Sequence, residues 1–146
     1  MSIEDDVALL ERVPTLRLLG TTALRMLASG SESREFGRGD QLFNAGDDAD
    51  AGYIVQRGAF RIEDGGAEII AGPGALIGEL ALIVAMKRPS SAVAIENSTV
   101  IRVARSLFQR VLESDPAAAR RLRDELASRT SQLASDILMA GAKLSI

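Results

Sequence analysis

Three residues in this chain have the types and spacing to hold an anion. Gly78 frees the backbone, Glu79 follows at once, and Arg88 stands nine residues later, with an apolar run from Leu80 to Met86 between them. That run could form a short helix, and a helix N-terminus gathers unpaired N–H groups and partial positive charge. Arg88 adds a planar fork of donors suited to a phosphate, while Glu79 can accept hydrogen bonds from a sugar hydroxyl. The same two side chains also admit a plainer reading, an exposed ion pair on a loop, which contributes about 0–1 kcal/mol. Gly78 ahead of the acid and the Ser90-Ser91 start of a strand behind the arginine set the pair apart from an ordinary loop.

The elements around this segment read as helix, then β, then helix. Apolar positions at helical spacing run through residues 3–29, where Pro14 and Gly20 break them into two or three short helices. From about 34 to 104 the texture changes to short apolar bursts between glycine-rich turns. The strands expected there are 41–44, 52–56, 59–63, 67–71, 91–95 and 99–104, with Gly65-Gly66 as a hairpin turn. Ser106 is expected to cap a helix over 107–113. Asp115 with Pro116 starts a second helix, read as continuing to about Ala140. Along it, Ala119, Leu122, Leu126, Leu133, Ile137 and Ala140 form a seam that either packs on its own barrel or pairs with a second copy.

Composition removes several chemistries. The 146 residues fit one domain and include no histidine and no cysteine. A Ser–His triad, a histidine metal site, a disulfide and a thiolate nucleophile are therefore excluded. The net charge of −3 gives no global field for nucleic acid, and with only 3% aromatic residues the core must be aliphatic. An acidic start and the lack of a long apolar run argue against a signal peptide and a membrane span, so a cytoplasmic location is expected.

A dinucleotide fingerprint competes for the same region. Residues 67–71 would be its strand, Gly72, Gly74 and Gly78 its phosphate loop, and Glu96 its ribose acid. The glycine spacing is one residue longer than the common form, and too little chain follows Glu96 to complete a doubly wound fold. Arg38-Gly39-Asp40 reads as a tight turn and Asp47-Asp48 as part of a solvated acidic one.

Gly78-Glu79-Leu80-Ala81-Leu82, Arg88 and Ala94 closely resemble the phosphate-binding cassette of cyclic nucleotide-binding domains. That family includes the ligand domain of the catabolite activator protein and the regulatory subunits of cyclic-AMP-dependent protein kinase. Further similar residues are Glu11 to Pro14, Phe36 to Asp40, Leu42-Phe43, Gly46-Asp47, Gly52 to Val55 and Gly58, so the resemblance spans roughly 8–140.

The resemblance implies an eight-stranded, jelly-roll-like β-roll over about 34–104. Helices flank it over about 3–29 and 106–140, in a single domain over 1–146. It implies a ligand site of Gly78, Glu79, Leu80, Ala81, Arg88, Ser90 and Ser91. Glu79 would take the ribose 2′-hydroxyl and Arg88 the cyclic phosphate. Backbone N–H groups from Glu79 to Ala81, and the hydroxyls of Ser90 and Ser91, would support the phosphate oxygens.

Pro89 departs from the family pattern, because it has no N–H to offer the phosphate and no hydroxyl to offer guanine. Cyclic AMP is therefore favoured over cyclic GMP. On the last helix, Thr130, Ser131 and Ser135 are candidates to cover the base.

The expected role is a non-enzymatic sensor module with no catalytic residue, no metal and no cofactor beyond the nucleotide ligand. It would act through an unidentified effector protein or as a homodimer through the C-terminal helix. No DNA-binding domain is read in this chain. The alternatives are a degenerate member used only for protein interaction and, behind it, a dinucleotide-binding enzyme.

Overall fold

The N-terminal helices begin and end where the sequence punctuates them. The computed structural model describes residues 2–64 and 66–128. Helix α1 (Ile3–Glu11) opens with a reciprocal cap, in which the Asp5 amide donates to Ser2 Oγ at 3.2 Å and the Ser2 amide to Asp5 Oδ2 at 3.4 Å. Glu4, Asp5 and Asp6 sit at its positive end. Pro14 takes the first position of α2 (Pro14–Arg17), and Gly20, at φ +87°, turns the chain into α3 (Thr21–Gly30).

Among the described residues ten strands follow: β1 (Glu32–Phe36), β2 (Gln41–Phe43), β3 (Asp48–Ala49), β4 (Ala51–Arg57), β5 (Phe60–Asp64), β6 (Ala67–Ala71), β7 (Leu76–Ile77), β8 (Met86–Lys87), β9 (Ala92–Ala94) and β10 (Ser98–Ala104). Their pairing is nested. β5 pairs with β6, β4 with β7, β3 with β8, β2 with β9 and β1 with β10, all antiparallel. The β region is thus one long folded ribbon whose tip lies between Asp64 and Ala67. Rolling the ribbon adds the β4–β10 and β5–β9 pairs. The result is two four-stranded sheets, β1-β10-β4-β7 and β2-β9-β5-β6, with the short β3–β8 ribbon between.

The expected eight-stranded roll corresponds to these two sheets, which do not close into a barrel. Four strands were not expected. β1 carries Glu32, Arg34 and Glu35 on an exposed edge, while β3, β7 and β8 have two residues each and show no periodicity. With every pairing antiparallel, residues 67–71 are the return strand of a hairpin, and no βαβ unit surrounds Gly72 and Gly74.

The two central strands of the first sheet, β4 and β10, are buried on both faces over most of their length. Ile54, Ile101 and Val103 face the helices and join Leu10, Leu16, Leu24 and Leu27. Tyr53, Val55 and Val100 face into the roll with Phe60 and Ile77. Helix α4 (Arg105–Ser114) then lies on the helical side through Phe108 and Val111. Its N-cap is Ala104, which has no side-chain cap, so Ser106 falls inside the helix rather than at its start. The helix follows β10 directly, and the Arg105 amide is already satisfied by the Asp50 carbonyl at 2.8 Å.

Asp115 does cap the next helix, α5 (116–128 within the described residues), its Oδ1 accepting from the Ala118 amide at 3.1 Å. Ala118 and Leu122 of α5 are buried in the helical core, and Arg121 donates to the carbonyls of Leu18 and Leu19, both at 2.7 Å. The continuation to Ala140, the seam positions Leu133, Ile137 and Ala140, and Thr130, Ser131 and Ser135 lie outside the described residues. Within those residues no helix is long and apolar enough to cross a membrane, and no group of acidic side chains could hold a metal ion.

Candidate ligand site

The two arms of the nested ribbon differ most in length at one place. On one arm a single residue, Asp50, separates β3 from β4; on the other, residues 78–85 separate β7 from β8. The extra chain is the glycine-acid segment, and it must bulge out of the ribbon. Gly78 starts the bulge in the left-handed region, at φ +78° and ψ +39°, and Glu79–Leu82 forms a single 3-10 turn. The Ala81 amide closes this turn on the Gly78 carbonyl at 3.1 Å. The short helix expected here is therefore a 3-10 turn of four residues.

Arg88 follows β8 and runs beneath the bulge. Its main chain is gripped by the β2–β3 loop, with its amide donating to Asp47 O at 2.7 Å and its carbonyl accepting from the Gly46 amide at 2.8 Å. The side chain is only 4% exposed. Nη2 donates to the Ala51 carbonyl at 2.8 Å. Cζ lies 4.2 Å from the centre of the Phe43 ring and 5.5 Å from that of Tyr53, so two aromatic faces support the cation. An ideal Cβ on Gly78 would come within 2.6 Å of Arg88 Nη1, so that glycine is needed for space as well as for its backbone angle.

What the guanidinium lacks is an anion. Among the described residues no carboxylate pairs with it within 4 Å, and its buried Nε has no hydrogen-bond partner. Asp50, the acid whose charge acts on it, is paired with Arg102 at 3.2 Å. Burial pulls the Arg88 pKa below its ordinary value, with Tyr53 and Asp50 opposing that shift. An arginine nevertheless keeps its charge at neutral pH. A buried, unpaired cation is costly unless a ligand completes it.

Above it lies a cavity of about 290 Å³ lined by Phe43, Ile62, Ile77 to Ala81, Met86 and Arg88 to Ser90. That is the lower end of the range for small-molecule sites. Larger hollows, about 740 Å³ among α1, α3 and α4 and about 560 Å³ beside Gly37, do not include Arg88 in their walls.

The cavity brings together Gly78, Glu79, Leu80, Ala81, Arg88 and Ser90. Ser91 is placed differently, its Oγ accepting from the Ala45 amide at 2.8 Å and its side chain outside the lining. Glu79 and Arg88 do not clasp each other, because the Glu79 carboxylate accepts from the Thr15 hydroxyl of α2. Thr15, Arg105 and the Ala51 carbonyl were not anticipated. They meet the site across 64, 24 and 37 residues of chain, and their residue types carry no signal. Phe43 and Tyr53 carried one, since both fall in stretches that resemble the family.

The comparisons agree with this geometry. The family model for the cyclic nucleotide-binding domain matches residues 33–115. A solved cyclic nucleotide-binding-like protein from Brucella abortus is 38% identical, covering 75% of this chain and 98% of that one, with a TM-score of 0.67. The N-terminal domain of a transcriptional regulator from Streptomyces coelicolor is 27% identical, covering 86% of this chain and 94% of that one, with a TM-score of 0.78. The cyclic AMP receptor protein of Thermus thermophilus is 30% identical over 122 residues, 80% of this chain and 56% of that protein. The chain spans only 7% to 23% of the length of the first curated relatives it matches. With its rolled β-ribbon, its bulged glycine-acid turn and a matching family model, the chain belongs to the cyclic nucleotide-binding domain family.

Proposed function

We propose that this chain is a regulatory module that binds cyclic AMP in preference to cyclic GMP and signals through a partner protein or a second copy of itself. The observation that carries the reading is the buried Arg88 guanidinium, without a carboxylate partner among the described residues, beneath the Gly78–Leu82 turn. The cyclic phosphate would complete its charge. Glu79, held by Thr15 at the cavity wall, would take the ribose 2′-hydroxyl. The amides from Glu79 to Ala81, with the hydroxyl of Ser90 and, more remotely, that of Ser91, would serve the remaining phosphate oxygens. The preference for cyclic AMP rests on Pro89, which places no hydroxyl beside the arginine to meet guanine. No step of chemistry on the nucleotide is proposed, and a cytoplasmic setting suits the ligand.

Binding transmits a signal only through differential affinity for two states of the domain. The bulge is the element placed to have two, because Leu82 and Ile83 on its far side pack against the helical core.

The degenerate alternative has its own support. Pro89 withholds one donor, and the Ala81 amide already bonds Gly78. One missing charge-assisted hydrogen bond would cost about 1.5–3 kcal/mol, roughly ten- to a hundredfold in affinity. Calorimetric titration with cyclic AMP, cyclic GMP and 5′-AMP separates the readings. Saturable heat is expected with both cyclic nucleotides, tighter for cyclic AMP, with 5′-AMP much weaker. No heat with any of them at millimolar concentration would leave only the interaction role.

A further inference from the structure

Arg105, the first residue of α4, reaches back into the bulge that carries the site. Its Nη1 donates to three carbonyls: Ala49 of β3 at 2.8 Å, and Ala81 and Val84 of the bulge, both at 3.1 Å. Its own amide donates to the Asp50 carbonyl at 2.8 Å. One guanidinium nitrogen therefore fastens the closing half of the bulge to the opposite arm of the ribbon. It does so from the residue where β10 becomes α4. Among the described residues Arg105 makes no ion pair, so its charge serves these carbonyls rather than an acid.

Elsewhere the bulge is tied at its opening half, where Thr15 of α2 donates to the Glu79 carboxylate, and through Leu82 and Ile83, which pack on the helical core. Within residues 78–85 the backbone bonds are short-range, from Ala81 to Gly78 and from Ile83 and Val84 to Leu80. Leu80 and Val84 are exposed, at 56% and 43%, so little burial holds that side. A loop whose own backbone bonds are all local is ordered by the side chains that grip it, and ordering that remains to be done on binding subtracts from affinity.

We propose that Arg105 is the positioning residue of this site: it holds the 78–85 bulge ready for the ligand and joins its movement to α4. The role rests on the nucleotide-binding reading above, but its first consequence appears without ligand. Releasing the three carbonyls frees the bulge while the sheets, which Arg105 does not cross, stay closed. Lysine keeps a charged donor of comparable reach, so Arg105→Lys retains part of the tie and Arg105→Gln loses most of it.

Amide hydrogen exchange on the unliganded protein, followed by titration with cyclic AMP, tests this with both variants. In Arg105→Gln, residues 79–85 are expected to exchange faster while β4 and β10 stay protected. Cyclic AMP should then bind about tenfold more weakly. Arg105→Lys is expected to lie between this variant and the parent on both measures, a graded rescue that a general packing defect would not give. Unchanged exchange in the bulge overturns the proposal, whether or not nucleotide binds. So does undiminished affinity in Arg105→Gln when the parent binds. A parent that binds no nucleotide refutes the function proposed above, and Arg105 is then judged on exchange alone. If Arg105→Gln does not fold, the lysine variant decides by the same two criteria.

Discussion

Arg88→Met is expected to remove nucleotide binding while changing the stability of the unliganded domain by less than about 2 kcal/mol. The loss of binding follows from the charge. An arginine meeting a cyclic phosphate makes up to two charge-assisted hydrogen bonds, each worth about 1.5–3 kcal/mol, so affinity should fall roughly a hundred- to ten-thousandfold. The small effect on stability follows from what surrounds Arg88. Removing one member of a buried ion pair strands its partner and is strongly destabilising, but among the described residues no carboxylate is stranded here. The bond to Ala51 and the contacts with Phe43 and Tyr53 are lost, and relief from burying a charge offsets them. Methionine fills the space with a flexible apolar chain. Urea denaturation without ligand and calorimetry with cyclic AMP read the two halves separately. A collapse in stability with binding retained would make Arg88 a structural residue.

Gly58→Ala is expected to destabilise the fold by at least about 3 kcal/mol, through the β4–β5 turn rather than the site. Gly58 sits at φ +86°, and a Cβ there would lie 2.1 Å from Ser98 Oγ, 2.6 Å from the Asn97 carbonyl oxygen and 2.7 Å from Ser98 Cα. Two of those atoms are backbone and cannot rotate away. Ser98 is itself buried, taking a hydrogen bond from the Ala59 amide at 3.1 Å and giving one to Glu96 O at 2.8 Å. Displacing it opens the turn it stitches. Gly46→Ala is the control, because Gly46 has a similar φ of +90° but nothing within 4 Å of the added carbon. It should cost only the backbone strain, about 1 kcal/mol. Equal urea midpoints for the two variants would show that the crowding at Gly58 is without consequence.

Much of the fold could be read because its punctuation is local. Pro14 and Gly20 separate the N-terminal helices, Asp115 with Pro116 opens α5, and β5 and β6 pair as the expected hairpin, Asp64 opposite Ala67. The strands that escaped notice had no such marks. β1 is held almost wholly by its pairing with β10, and the two-residue strands exist only because the ribbon folds back on itself. Ser106 misled because a hydroxyl near a helix start resembles a cap, yet the chain enters α4 directly from β10.

The candidate site divides in the same way. Gly78, Glu79 and Arg88 are close in sequence and carry their chemistry in their side chains, so they could be found together. The grip of Thr15 on Glu79, the support of Phe43 and Tyr53 beneath Arg88, and the tie from Arg105 arise only when the ribbon rolls. Residue type alone does not announce them.

A crystal grown with cyclic AMP tests the central claim most directly, namely that the buried Arg88 cation and the Glu79 carboxylate grip opposite ends of one cyclic nucleotide. The expected result is the phosphate on the Arg88 guanidinium and the ribose 2′-hydroxyl on Glu79, inside the cavity bounded by Phe43 and Met86. A nucleotide bound elsewhere, or an empty cavity at saturating ligand with Arg88 bonded only to Ala51, would contradict it.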